Sequence, residues 1–269
     1  YEVHGIIRRS SVSENQDSRI AHLGDKIHTY YGDMLDTTSL TNIMLKVKPD
    51  EIYNLAAMSH VRISFDIPSF TIQANGLAVL NLLEIYRLFA PNAKFYQASS
   101  SEMFGNSVDE DGIQRLTTPM NPVSPYGCAK LLAFNLVRHY RHAYGLHACN
   151  GILFNHRLEL GNLDSYRDWG HSKDYVRAMH KIINYDVADE WIVSTGETWS
   201  VRDLVKYVFE KLDMNWEEYV VQNSKFMRPE ELKYLKGDSQ ISRDVLGWKP
   251  EYTFHSMLDE MIESWMKKL

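Results

Sequence analysis

Short apolar runs alternate with helix-period segments through the first 156 residues, and no other feature narrows the fold as far. Residues 2–7 read as a strand. Across 39–47, Leu40, Ile43, Met44 and Val47 fall on one helical face, and Pro49 closes the segment. Residues 51–57 are the next apolar strand, and 70–89 a helix with Leu80, Leu83 and Leu88 as core candidates. A further strand spans 94–99. Pro125 then opens a long helix to about Tyr144, with Ser124 placed to cap it. Residues 148–154 form another buried strand. This order predicts the α/β class, with a parallel, doubly wound sheet.

In such sheets ligands sit beyond the carboxyl ends of the strands. Polar groups fall there repeatedly: Arg8-Arg9-Ser10-Ser11, residues 56–59, Ser99 through Glu102, and Asn155-His156. After His156 the alternation weakens. Residues 191–194 are strand-like, Ser200 and Asp203 resemble a capping box, and 201–212 is an amphipathic helix. A final helix over 254–268 carries Met257, Leu258, Met261, Ile262 and Trp265 on one face, read as core. The expected division is a dinucleotide-binding domain over 1–156 and a smaller α/β substrate domain over 157–269. A helix near 171–185 is expected to return to the first.

Composition excludes several classes. With 44% hydrophobic and 24% charged residues, 269 residues build a real core. A net charge of −6 argues against a general nucleic-acid or anionic-membrane binder. No apolar run is long enough for a membrane span and no secretory signal is visible. Cys128 and Cys149 lack metal-site spacing and read as reduced thiols, so a cytoplasmic protein without a metal site is expected.

One stretch carries chemistry. Ser99-Ser100-Ser101-Glu102 ends a strand, and Tyr126 and Lys130 follow, four apart on one helical face. A cation beside a phenol favours the phenolate, so such a Tyr serves as base towards an alcohol. The pair alone says little: Tyr207 and Lys211 repeat the spacing and read as packing and a solvated helix-end charge. Arg8, Arg9, Ser10 and Ser11 suit a 2′-phosphate, and equally a basic surface loop.

Extended along the chain, these residues resemble the extended short-chain dehydrogenase/reductases, and among them the GDP-mannose 4,6-dehydratases. The likeness runs through 3–11, 53–61, 95–105, 124–130, 150–156, 160–174, 228–231 and 246–250. It implies a Rossmann-like fold and a hydro-lyase converting GDP-D-mannose to GDP-4-keto-6-deoxy-D-mannose, in deoxyhexose biosynthesis. By resemblance, Tyr126 takes the C4 hydroxyl proton, and Lys130 lowers the Tyr126 pKa. Glu102 removes the C5 proton and helps the C6 hydroxyl leave, and Ser100 bonds the C4 oxygen. The implied cofactor is NADP, contacted by Arg8, Arg9, Ser10, Ser11, Asp33, Met34, Leu55, Ala56, Ala57, Ser59, Phe70, Tyr126, Lys130 and His156. The implied substrate contacts are Ser59, Glu102, Asn155, Arg167, Arg228 and Glu231. Because Arg8-Arg9 lies near a subunit contact in the family, a homodimer or homotetramer is expected.

This sequence departs from the family pattern in three places. The family opens with a strand and a Gly-x-x-Gly-x-x-Gly turn, whereas Tyr1 stands at what resembles the second strand. A family loop containing an Arg pair is lacking after His156. The expectation is that the natural protein carries both segments. Ser100 stands where the family usually has Thr, and keeps the hydroxyl. Four other readings compete. A UDP-sugar 4-epimerase needs no Glu102 and typically takes NAD. A deoxythymidine-diphosphoglucose dehydratase usually has Asp-Glu at 101–102. A dehydratase that also reduces its 4-keto product with NADPH is the third, and a non-catalytic scaffold, the fourth, would not need the Ser100, Glu102, Tyr126 and Lys130 set.

Overall fold

The computed structural model describes residues 1–8, 20–154, 162–220, 222, 227 and 229–267. The elements follow as β1 (His4–Ile7), β2 (His28–Tyr31), α1 (Thr37–Val47), β3 (Glu51–Asn54), α2 (Val61–Ser64), α3 (Pro68–Ile72), α4 (Ala78–Phe89) and β4 (Lys94–Ser100). Next come α5 (Pro125–Tyr144), β5 (Ala148–Leu153), β6 (Tyr166–Arg167), α6 (Ser172–Ile183), β7 (Glu190–Val193), β8 (Trp199–Ser200), α7 (Val201–Lys211), α8 (Gln240–Leu246) and α9 (Phe254–Met266).

The strands pair in parallel as β3-β4-β5-β7, with β1-β2 a separate parallel pair and β6-β8 a short antiparallel one. Alternation along β4 shows why helices must cover both faces. Phe95 points into a core with α1, α4 and α5, whereas Tyr96 points into one with α6 and Trp248. On β5, Ala148 and Cys149 divide in the same way. Burying each such aromatic fully stabilises the sheet by about 1.5–3 kcal/mol, so neither face of β4 tolerates exposure. The doubly wound arrangement follows from this two-sided burial.

Several boundaries differ from the sequence reading for local reasons. The apolar strand from Glu51 stops at Asn54, whose side chain accepts from the Ala56 N–H at 3.3 Å and turns the chain. The helix expected over 70–89 begins at Pro68 and contains a π-turn over Gln73–Leu77, where the Ala78 N–H reaches the Gln73 carbonyl. Leu83 is fully buried, but Leu88 is 57% exposed and is not core. On α9, Met257 and Leu258 are buried, while Met261 and Trp265 face outward because the helix runs past the core it shares with α7. The capping box on α7 is present: Ser200 Oγ accepts from the Asp203 N–H, and the Asp203 carboxylate accepts from the Ser200 N–H. Lys211 pairs with Asp259 at 3.1 Å instead of standing as a purely solvated charge. Tyr207 packs beside them and donates to the same carboxylate.

Candidate active site

β4 and α5 bring the chemistry-bearing residues to one place. Past the end of β4, the Ser100 hydroxyl accepts from the Glu102 N–H at 3.3 Å and starts a tight turn over Ser101–Phe104. That turn buries Glu102 to 5% exposure. On α5, Ser124 Oγ accepts from the Gly127 N–H at 3.0 Å, and Pro125 occupies the first helical position. The Tyr126 N–H reaches Ser64 Oγ at the end of α2, 3.3 Å away. Gly127 lets the two segments meet: a Cβ there would stand 2.8 Å from the Glu102 carbonyl oxygen and 2.9 Å from Pro122 Cβ. A side chain at 127 would therefore separate Glu102 from the start of α5.

Tyr126 and Lys130 are buried on the same face of α5, with the ammonium 5.7 Å from the Tyr126 ring centre. Lys130 Nζ donates to the Ala98 carbonyl at 3.0 Å. Burial pushes the Lys130 ammonium down to about 8. An amine so placed changes charge within the range where enzymes work, and its cation favours a neighbouring phenolate.

The exit of β3 is held with equal care. Asn75, in the π-turn, accepts from the Met58 N–H at 2.7 Å and donates to the Met58 carbonyl at 2.9 Å. This clamp fixes residues 55–58. Leu55, Ala56 and Ala57 line a cavity of about 1180 Å³, together with Arg8, Asp33, Met34 and Phe70. Seven of the predicted cofactor contacts thus share one cavity wall. Exposed Ser59 follows two residues later.

Other predicted residues are spread more widely. Arg167, buried on β6, donates to the Tyr166 carbonyl at 2.8 Å. Half-buried Glu231 approaches the β4 exit, where its carbonyl accepts from Asn106 at 3.4 Å. The two are linked through Tyr166, whose N–H reaches the Lys233 carbonyl. Arg9, Ser10, Ser11, Asn155, His156 and Arg228 lie outside the described residues. Among the described residues no group of three or more His, Cys, Asp or Glu side chains is placed to hold a metal, and no helix is long and apolar enough to cross a membrane.

Sequence reasoning passed over Asp168 beside Arg167. Its buried carboxylate accepts from Thr195 N and Oγ1, Gly196 N and Gly237 N, at 2.6–3.4 Å. Burial raises it to about 6 despite those four donors. Asn75 was also missed, because a single Asn in an apolar helical pattern carries no signal of a π-turn.

Comparison with known proteins places this geometry in a family. The model described as "GDP-mannose 4,6 dehydratase" matches residues 1–158 and 156–261. The chain belongs to that family. GDP-mannose 4,6 dehydratase of Drosophila melanogaster is 38% identical over 318 aligned positions, covering 98% of this chain and 80% of the relative. The Homo sapiens protein of that name is 37% identical, covering 98% of this chain and 84% of its own. The family match comes as two segments that meet at 156–158. Among solved structures, UDP-glucose 4-epimerase of Thermotoga maritima superposes with a TM-score of 0.86 at 20% identity, covering 100% of this chain and 92% of that one. An RMD from Pseudomonas aeruginosa complexed with NADPH gives 0.78 at 22%, covering 100% and 99%. At such identities the likeness establishes the Rossmann-like fold.

Proposed function

We propose that this protein dehydrates GDP-D-mannose to GDP-4-keto-6-deoxy-D-mannose with NADP as resident cofactor. The observation that carries the reading is Glu102, buried and packed by its backbone against Gly127, next to Tyr126 in the first turn of α5. A Tyr and Lys pair alone serves alcohol oxidation. A carboxylate on the turn that packs against the start of α5 adds a base for a carbon acid, and elimination needs one.

The cavity wall fits the cofactor. Met34, Leu55 and Phe70 offer apolar surface for a flat base, and Arg8 offers a cation for a phosphate. Arg8 and its neighbours Arg9, Ser10 and Ser11 favour a 2′-phosphate, hence NADP over NAD. When bound, NADP held along this wall would supply a hydride acceptor for the C4 oxidation and the hydride that C6 receives. Tyr126 takes the proton of the C4 hydroxyl, with Lys130 favouring its phenolate. Ser100 hydrogen-bonds the C4 oxygen and polarises the ketone. The ketone makes the C5 proton acidic; Glu102 removes it and helps pass a proton to the C6 hydroxyl, which leaves as water, and once hydride has added at C6 a solvent-derived proton enters at C5. Redox state is unchanged overall.

Within this reading residues 1–156 hold the dinucleotide and 157–269 mainly hold the sugar nucleotide, while α6 packs back onto β4 and β5. Arg167 and Glu231, with Ser59, Asn155 and Arg228, contact the substrate. The protein acts as a cytoplasmic homodimer or homotetramer. Incubation with GDP-mannose and NADP⁺ is expected to yield a sugar nucleotide lighter by one water in mass spectrometry. Turnover of a UDP-hexose with none of GDP-mannose would overturn the assignment.

A further inference from the structure

Two buried amides stand behind the Lys130 anchor without reaching the reacting groups. Asn54 ends β3, and Gln97 lies opposite it on β4. They are 4% and 1% exposed. Asn54 Nδ2 donates to Gln97 Oε1 at 2.8 Å, and Gln97 Nε2 donates to the Ala98 carbonyl at 3.1 Å. Lys130 Nζ donates to that same carbonyl at 3.0 Å. At the other end, Asn54 Oδ1 accepts from the Ala56 N–H at 3.3 Å. One hydrogen-bonded chain therefore runs from the β3 exit, which lines the cavity, to the ammonium on α5.

We propose that Asn54 and Gln97 are positioning residues for Lys130: they hold the carbonyl on which its ammonium rests and share that carbonyl with it. The proposal rests on the assignment of Lys130 to the reaction. Two donors on one carbonyl oxygen compete for its negative charge. When the Gln97 amide is present, the ammonium receives less stabilisation from Ala98 than it would alone. Gln97 thus helps to set the pH up to which Lys130 keeps its proton, and Asn54 keeps the Gln97 amide turned the right way. Burial is what lowers the Lys130 ammonium, and among the described residues the Tyr126 ring faces it, 5.7 Å away. The bland alternative is that Asn54 and Gln97 merely satisfy each other across the sheet.

The test reads Lys130 directly, by NMR of lysine labelled at Cε, in the parent, Gln97→Met, Asn54→Leu and the double variant, all without substrate. Gln97→Met is expected to raise the Lys130 midpoint by about half a pH unit or more, because the carbonyl then serves the ammonium alone. Asn54→Leu should move it the same way. The double variant should show no more than the larger single effect, as for residues acting in series. With GDP-mannose present, the high-pH limb of kcat should shift by the same amount while KM changes by less than about twofold. Folded variants that are less stable but keep the parent midpoint would reduce the pair to structure and overturn the proposal. The double variant removes donor and acceptor together, which guards against misfolding. In the unaltered protein, the Gln97 side-chain amide signal should titrate with the Lys130 midpoint; a signal that stays fixed while Lys130 titrates also overturns it. If the parent turns over no GDP-mannose, the functional reading falls, and the Lys130 midpoints still decide this one.

Discussion

Gly127→Ala probes the contact that unites Glu102 with α5. The new methyl would meet the Glu102 carbonyl oxygen at 2.8 Å, Pro122 Cβ at 2.9 Å and Ser124 Oγ at 3.3 Å. The first of these is backbone, so no rotamer change relieves it. Forcing a methyl into packed surroundings costs about 1–3 kcal/mol. Opposing this, alanine gains at most about 1 kcal/mol over glycine in a helix, and less in the first turn, where residue 127 sits. The steric term wins, and a net loss near 1 kcal/mol should lower Tm by about 2–4 °C. Activity should suffer more. Relief requires the Glu102 segment to retreat by a few tenths of an ångström, and since a displacement near 1 Å costs about 100-fold, kcat should fall about 3- to 10-fold. Calorimetry and initial rates of GDP-mannose dehydration measure both effects. A variant with raised Tm and unchanged kcat would refute the close packing of Glu102 on α5.

Two further substitutions address charge. Lys130 is held down to about 8, against an ordinary value of 10.5, so parent activity should fall as pH rises through about 8 and the ammonium is lost. Lys130→Met should lower kcat by about 100-fold or more without lowering Tm, since a desolvated amine is replaced by an apolar chain. An unchanged rate would remove Lys130 from the mechanism. For Asp168 the folded pKa is raised from 3.8 to about 6. The fold holds that proton more tightly than the unfolded chain, so the group's stabilising contribution is complete below 3.8 and is lost as pH rises through about 6. Urea midpoints of the parent and Asp168→Asn should therefore differ by a changing amount between those values and by a constant amount above them. A difference independent of pH throughout would contradict the raised carboxyl.

Much of the architecture was legible because the period of the apolar residues matches each element. Leu40 and Met44 on α1, and the alternation of Phe95 with Tyr96 on β4, are examples. The Ser124 cap and the Ser200–Asp203 box were legible because caps depend on a few adjacent residues. What escaped was tertiary. Leu88 fits its helical stripe yet is exposed, because nothing in the local pattern says where a neighbouring element stops. Trp265 fails for the same reason. The π-turn at Gln73–Leu77 and the Asn75 clamp depend on Met58, 17 residues earlier. Catalytic candidates were found through residue types and order, but the Gly127 contact between Glu102 and α5 emerged only when the two segments met in space.

The central claim is that Glu102 breaks the C5–H bond while Tyr126 and Lys130 serve alcohol oxidation. Single-turnover reaction of the parent and Glu102→Gln with GDP-mannose in D₂O, followed by product mass and nicotinamide absorbance, separates these steps. In the parent, deuterium should enter at C5 as water is lost. In Glu102→Gln, nicotinamide reduction should still occur, with no dehydrated product and no C5 exchange. Dehydration by Glu102→Gln at the parent rate, with deuterium at C5, would contradict the account.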